Sequence, residues 1–248
     1  MRIAVLSAHL DDAVFSAATQ LLRPNAQLVT VFAGPPLIAS DRSRWDGVTR
    51  ARSSAERHRQ RLAEDDRAVE RLGCASLRLD EPEVQYRDQP VDLDLLSDQL
   101  LAVVQDASEV WLPAGIGQHP DHIAAREAGL RAVRAASPVP PVFLYADLPY
   151  TIEYGWPSSL TGEPKPPFVD PDFWIEQELT RAGLSPQALR EKAFEISPLI
   201  RRPKEDAVLC YGTQLAALHL TPADRYRWEA CLSYELAWEV VPPVSPGS

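Results

Sequence analysis

Cysteine is scarce. The chain has three among 248 residues, Cys74, Cys210 and Cys231, an odd number without C-x-x-C spacing. Neither a disulfide framework nor a thiolate metal site is expected, and the cytosol is the default compartment. Long apolar runs are missing too: no stretch supplies the ~18 consecutive apolar residues of a membrane helix. At the amino terminus, only a short apolar run precedes Asp11 and Asp12, which does not fit a signal peptide. Positive charge is in deficit, with 25 Lys+Arg against 35 Asp+Glu and a net charge of −10. That balance argues against nucleic acid or an anionic membrane as partner and leaves a local basic pocket open. No G-x-G-x-x-G follows the first apolar run and no G-x-x-x-x-G-K-[ST] occurs anywhere, so the dehydrogenase and nucleotide-phosphate readings lose their fingerprints.

What is present is a globular composition, 45% hydrophobic and 24% charged, with ample core material. Residues 3–7 and 28–34 are short apolar runs that read as strands, separated by a helical pattern through Val14, Phe15, Ala18, Leu21 and Leu22. A charged helix is expected over 51–72, ending at Gly73, with most of its charges on a solvated face. Residues 77–80, 109–113 and 142–147 read as further strands, with helices over 93–105 and 121–136. Alternating strands and helices imply an α/β fold, a Rossmann-like, mostly parallel open sheet with helices on both faces. Proline, 23 in all, concentrates from residue 138 onward. Residues 151–240 are expected to form a loop or lid followed by a helical extension, with helices near 186–194, 204–218 and 221–230, and 241–248 reads as a frayed tail. One domain is expected, with residues 1–150 as its sheet core.

Two clusters carry the chemistry. His9-Leu10-Asp11-Asp12 stands at the end of the first strand, where the imidazole and the second carboxylate can turn toward one point. Gly117-Gln118-His119-Pro120-Asp121-His122 stands at a later strand end and helix start. Either cluster alone could be a polar helix entrance, since Asp caps well and Pro favours a first turn. Together they place three of the chain's five histidines beside aspartates at one edge of the sheet, where open sheets bind ligands. Two imidazoles and a carboxylate leave positions open on a divalent cation, the pattern of a catalytic site. Zn²⁺ suits these donors best; Fe²⁺, Co²⁺ and Ni²⁺ also fit. Spacing does not say which aspartate is a ligand and which a base.

The two motifs resemble those of the LmbE-like, or PIG-L type, N-acetylglucosaminyl deacetylase family, His-Pro-Asp-Asp-Glu and His-Pro-Asp-His. The second is complete here; the first has Leu10 for Pro and Ala13 for Glu. Arg61-Leu-Ala-Glu64, Tyr145-Ala-Asp147-Leu-Pro149-Tyr150, Lys204 and Tyr211-Gly-Thr-Gln214 are similar to other family segments, so the likeness spans nearly the whole chain. The resemblance implies that His9, Asp12 and His122 hold zinc and that Asp11 is the base. It implies that His119, its ring held by Asp121, stabilises an oxyanion or protonates the leaving amine, and that Arg61 can reach substrate. The implied protein is a cytoplasmic, zinc-dependent N-deacetylase of a small amino sugar, either monomer or homo-oligomer. The competing readings are a hydrolase or cyclisation catalyst for a non-sugar amide, and an inactive sugar-binding relative.

Overall fold

The structure, a computed structural model, describes residues 2–165 and 167–241. Strand β1 (Arg2–Ser7) is buried from Ile3 to Ser7, which is why its sequence is a continuous apolar run without alternation. It leads to the short helices α1 (Asp12–Ser16) and α2 (Ala18–Leu21), which break apart at Ala17, where φ is −142°. There follow β2 (Ala26–Thr30), a one-turn helix α3 (Arg44–Val48), the long α4 (Ser54–Leu72), β3 (Ala75–Arg78), α5 (Leu93–Val104), β4 (Ala107–Pro113), α6 (Pro120–Ala135) and β5 (Val142–Tyr145). Beyond them lie α7 (Ser158–Thr161), α8 (Pro171–Arg181), β6 (Leu189–Glu195), α9 (Pro198–Val208), α10 (Gly212–Leu215), α11 (Arg225–Ser233) and β7 (Tyr234–Val240).

The seven strands form one sheet in the order β3-β2-β1-β4-β5-β7-β6. The first five are parallel; β7 runs antiparallel to β5, and β6 antiparallel to β7. The expected mostly parallel α/β sheet is therefore present. The strand order turns around β1, with β2 on one side and β4 on the other, and such a switch point opens a crevice at the carboxyl ends of β1 and β4. Helices α5 and α6 pack together with α6 over β4 and β1, while α1, α2 and α4 gather around α9.

Three expectations need correction. The carboxyl-terminal part is helical only in part: of residues 186–194, expected as helix, those from 189 onward belong to strand β6, and β7 joins the same sheet, so the sheet does not end near residue 150. Leu-Arg-Glu-Lys-Ala-Phe-Glu has helix-forming residues, but pairing with β7 along its whole length overrides that preference. Its charged, exposed positions suit an edge strand. Second, α4 does not simply present a solvated charged face, because Arg57, Arg61, Glu64 and Asp65 are buried. Their partners come from remote elements: Asp65 takes hydrogen bonds from Arg78 and Tyr211, and Glu64 from Thr213. Third, the expected helix over 204–218 is divided into α9 and α10. The frayed tail lies, beyond Val241, outside the described residues.

Candidate active site

At the end of β1 the chain turns on Ser7, whose hydroxyl donates to His9 O (2.6 Å) and accepts from Ala13 N–H (2.9 Å). Asp11 occupies the cap position of α1, but its side chain does not cap the helix. Asp12 Oδ2 accepts the backbone N–H of His9 at 2.7 Å, which folds the carboxylate back toward the His9 ring. The departures at Leu10 and Ala13 are both buried.

The second motif follows a loop of residues 114–118 in which Gly115, Gly117 and Gln118 have positive φ. A Cβ at Gly117 would lie 2.4 Å from the Tyr150 ring, so glycine is needed for that close approach. The ring of Tyr150 in turn stands edge-on to His122, with centroids 5.9 Å apart. His119 caps α6, its Nδ1 accepting from Asp121 N–H at 3.2 Å.

The two motifs meet. Asp12 Oδ2 lies 3.1 Å from His9 Nδ1 and 3.1 Å from His122 Nε2. Ligand atoms on a tetrahedral zinc, with bonds of about 2.0–2.1 Å, stand roughly 3.3 Å apart, so both separations suit one shared ion. The outer nitrogen of each ring faces a carboxylate: His9 Nε2 is 2.9 Å from Asp121 Oδ2, and His122 Nδ1 is 2.7 Å from Asp147 Oδ1. Carboxylates so placed fix ring orientation and tautomer, leaving the inner nitrogens as donors to a metal. His122 Nε2 is buried without a hydrogen-bond partner, an atom that a cation would satisfy.

His9, His119 and His122 also offer ligand atoms within 4.8 Å of one another. The Asp12 oxygen stands nearer, 3.1 Å from one nitrogen each of His9 and His122.

The electrostatics agree with a cation site. Burial opposes charge on His122, but Asp12 and Asp147 outweigh it and raise its pKa to about 10. Burial likewise opposes charge on His9, yet Asp12 and Glu83 hold its pKa well above the ordinary value. Asp12, despite burial, is held well below the carboxylate range by His122 and His9. His119 goes the other way: burial, then the positive His9 and His122, push it down to about 3.

Asp11 stands beside this group, its carboxylate paired with Arg61. Burial raises its pKa to about 6 against the opposing charge of Arg61, whose Nη2 lies 3.3 Å from Asp11 Oδ1. Arg61 also binds Glu83 and is itself buried. These residues line a cavity of about 220 Å³, closed further by Leu148, Pro149, Tyr150 and by Trp45, whose indole N–H donates to Gln214 Oε1 at 2.8 Å.

The seven residues singled out from sequence thus all lie in or against one site, with two revisions. Asp121 holds the His119 ring through its backbone N–H and not through its carboxylate, which meets His9, Val84 N–H (2.9 Å) and Arg87 (2.5 Å). Arg61, expected to reach substrate, has its guanidinium engaged by Glu83 and Asp11. Sequence reasoning missed Glu83 and Arg87, which lie in an irregular segment without a motif. It gave no role to Asp147, although an acid two residues beyond β5, at the same edge of the sheet, was a usable signal.

Residues 4–133 match the PIG-L family, described as GlcNAc-PI de-N-acetylase. No curated protein matches the chain. Among solved structures, a deacetylase-bog complex of the teicoplanin biosynthesis pathway is 25% identical with a TM-score of 0.74, over 99% of this chain and 100% of that one. The A40926 pseudoaglycone deacetylase is 24% identical with a TM-score of 0.71, over 98% of each chain. An N,N'-diacetylchitobiose deacetylase from Pyrococcus horikoshii shares the fold at 15% identity, TM-score 0.56, over 100% of this chain and 87% of that one.

Proposed function

We propose that this chain, which belongs to the PIG-L (GlcNAc-PI de-N-acetylase) family, is a metal-dependent amide hydrolase that removes a short acyl group, acetyl in the first instance, from an N-acyl amino sugar. The observation that carries the reading is the convergence of His9, Asp12 and His122 around one point, with the separate carboxylate of Asp11 lining the same small cavity as His9 and Asp12. Zn²⁺ is the proposed ion, and Fe²⁺, Co²⁺ or Ni²⁺ would accept the same donors. When bound, the cation would polarise the amide carbonyl and acidify a water molecule.

The chain's own groups then divide the remaining work. Asp11, with a pKa near 6, is mostly ionised at neutral pH and can take a proton from the attacking water. Arg61, itself anchored by Glu83, holds that carboxylate in place, so the role proposed for Arg61 is orientation of Asp11 more than contact with substrate. His119 is neutral, and with Nδ1 occupied by the Asp121 N–H its own proton sits on Nε2. It therefore serves as a neutral hydrogen-bond donor to the developing oxyanion; burial, the largest cause of its lowered pKa, opposes an imidazolium there. As the C–N bond breaks, Asp11 returns its proton to the departing amine. Asp121 acts by orienting His9. A cavity of about 220 Å³ is smaller than the ~300–1,000 Å³ of drug-sized sites, which suits a short acyl group.

No helix among the described residues is long and apolar enough to cross a membrane, and the three cysteines are free. A cytoplasmic enzyme acting on a small molecule is the corresponding proposal. Acetate release, measured side by side on N-acetylglucosamine derivatives and on aryl or cysteinyl amides, tests the substrate class. Turnover at least tenfold faster on the sugars is expected; cleavage confined to the non-sugar amides would transfer the reading to the competing class.

A further inference from the structure

We propose that Asp147 is a positioning residue whose single carboxylate sets both the cation-facing atom of His122 and the start of the loop that presents His119. This rests on the reading of His122 as a metal ligand. Asp147 is fully buried. Oδ1 lies 2.7 Å from His122 Nδ1, and Oδ2 accepts the backbone N–H of Ile116 at 2.8 Å. The loop needs such an acceptor, because three of its five residues have positive φ and the ladder ends at Ala114, whose N–H donates to Tyr145 O at 2.9 Å, leaving the Ile116 N–H without a strand partner. Asp147 is held from behind by Thr151, whose N–H and hydroxyl both donate to Asp147 O at 2.9 Å. Register does the rest: Tyr145 pairs with Pro113 at the ends of β5 and β4, so a residue just past β5 stands directly beside the loop leaving β4.

A carboxylate at this point can only accept, so the His122 proton is kept on Nδ1 and Nε2 presents its lone pair. Asparagine would keep the shape and could still accept from Ile116 through its oxygen. Its amide nitrogen would then face His122 Nδ1 as a donor, which favours the opposite tautomer and blocks Nε2. Asp147→Asn is therefore expected to weaken zinc binding roughly 10–100-fold in chelator competition, the range seen when such supporting carboxylates are lost. Thr151→Val loosens the same corner without touching the carboxylate and should bind zinc within about twofold of wild type. Equal zinc affinity in wild type and Asp147→Asn overturns the inference, as does an equal loss in both variants. A second measurement needs no variant: in the zinc-loaded wild-type protein, a long-range ¹H–¹⁵N spectrum should show the His122 proton on Nδ1, and a proton on Nε2 contradicts the assignment. Wild-type protein that binds zinc but cleaves no amide would sink the hydrolase reading and leave this inference standing.

Discussion

A cavity of about 590 Å³ lies among Tyr154, Trp156, Tyr226 and Tyr234 in the carboxyl-terminal part, while the one at the ends of β1 and β4 measures about 220 Å³. The larger is bordered by Lys165, half exposed and paired with Asp170 and Asp172, and by an exposed Tyr226. Solvent screens such pairs. In the smaller, His9, Asp11, Asp12, Arg61 and Glu83 are all buried and bound to one another or to a near neighbour. On the proposed function, size does not locate the chemistry. Burial of charges that can be kept only by mutual pairing does, because it shifts proton affinities and fixes geometry together.

The hardest blow to that contrast should come at Asp11. Asp11→Asn is expected to lower kcat by about 10²–10⁴ with zinc affinity retained. Steady-state kinetics with metal analysis checks this, and a kcat within tenfold of wild type removes Asp11 from the role.

A buried ion pair outside both cavities sharpens the difference between stability and chemistry. Lys204 Nζ lies 3.0 Å from Glu235 Oε1, both buried, and Glu235 also takes the Thr19 N–H. Lys204→Met strands the carboxylate, and a loss of about 3–5 kcal/mol in urea unfolding is expected with kcat unchanged at low temperature. A loss under about 1 kcal/mol contradicts this.

Asp46, beside Trp45 at the cavity edge, accepts from Ser54 Oγ (2.6 Å), Tyr86 Oη (2.8 Å) and Ser43 N–H (3.0 Å). Burial raises its pKa, but these bonds outweigh burial and lower it overall. A carboxylate lowered on folding stabilises the protein above its unfolded pKa, and that contribution is lost as the pH falls through the folded value. Asp46→Asn should thus cost about 1–3 kcal/mol at neutral pH. The gap from wild type should close as the pH drops below the ordinary carboxylate range; a pH-independent gap in paired denaturation series would reject the cause. The smallest effect is expected in the larger cavity: Tyr226→Ala should change kcat/KM on N-acetylglucosamine less than about twofold. A tenfold fall would mean that substrate reaches that cavity.

The parallel half of the fold was legible because its signals are local: apolar runs ending in polar corners, and two histidine–aspartate motifs at strand ends. The antiparallel edge was not. Residues 189–195 become a strand only through β7, some forty residues later, and their own composition points to a helix. The same non-locality hid the buried face of α4, since Arg61 reads as a surface charge until Glu83 and Asp11 are brought to it by the fold. At the site, residue types were legible and pairings were not. The sequence neighbours His119 and Asp121 suggested a pair, yet the α6 turn sends the Asp121 carboxylate to His9, 112 residues away.

Anomalous scattering at the zinc edge, from crystals of the zinc-loaded protein, tests the central claim most directly. One ion per chain is expected within bonding distance of His9 Nδ1, Asp12 Oδ2 and His122 Nε2. An ion held by His119 in place of Asp12, or no peak between the two motifs, would contradict it.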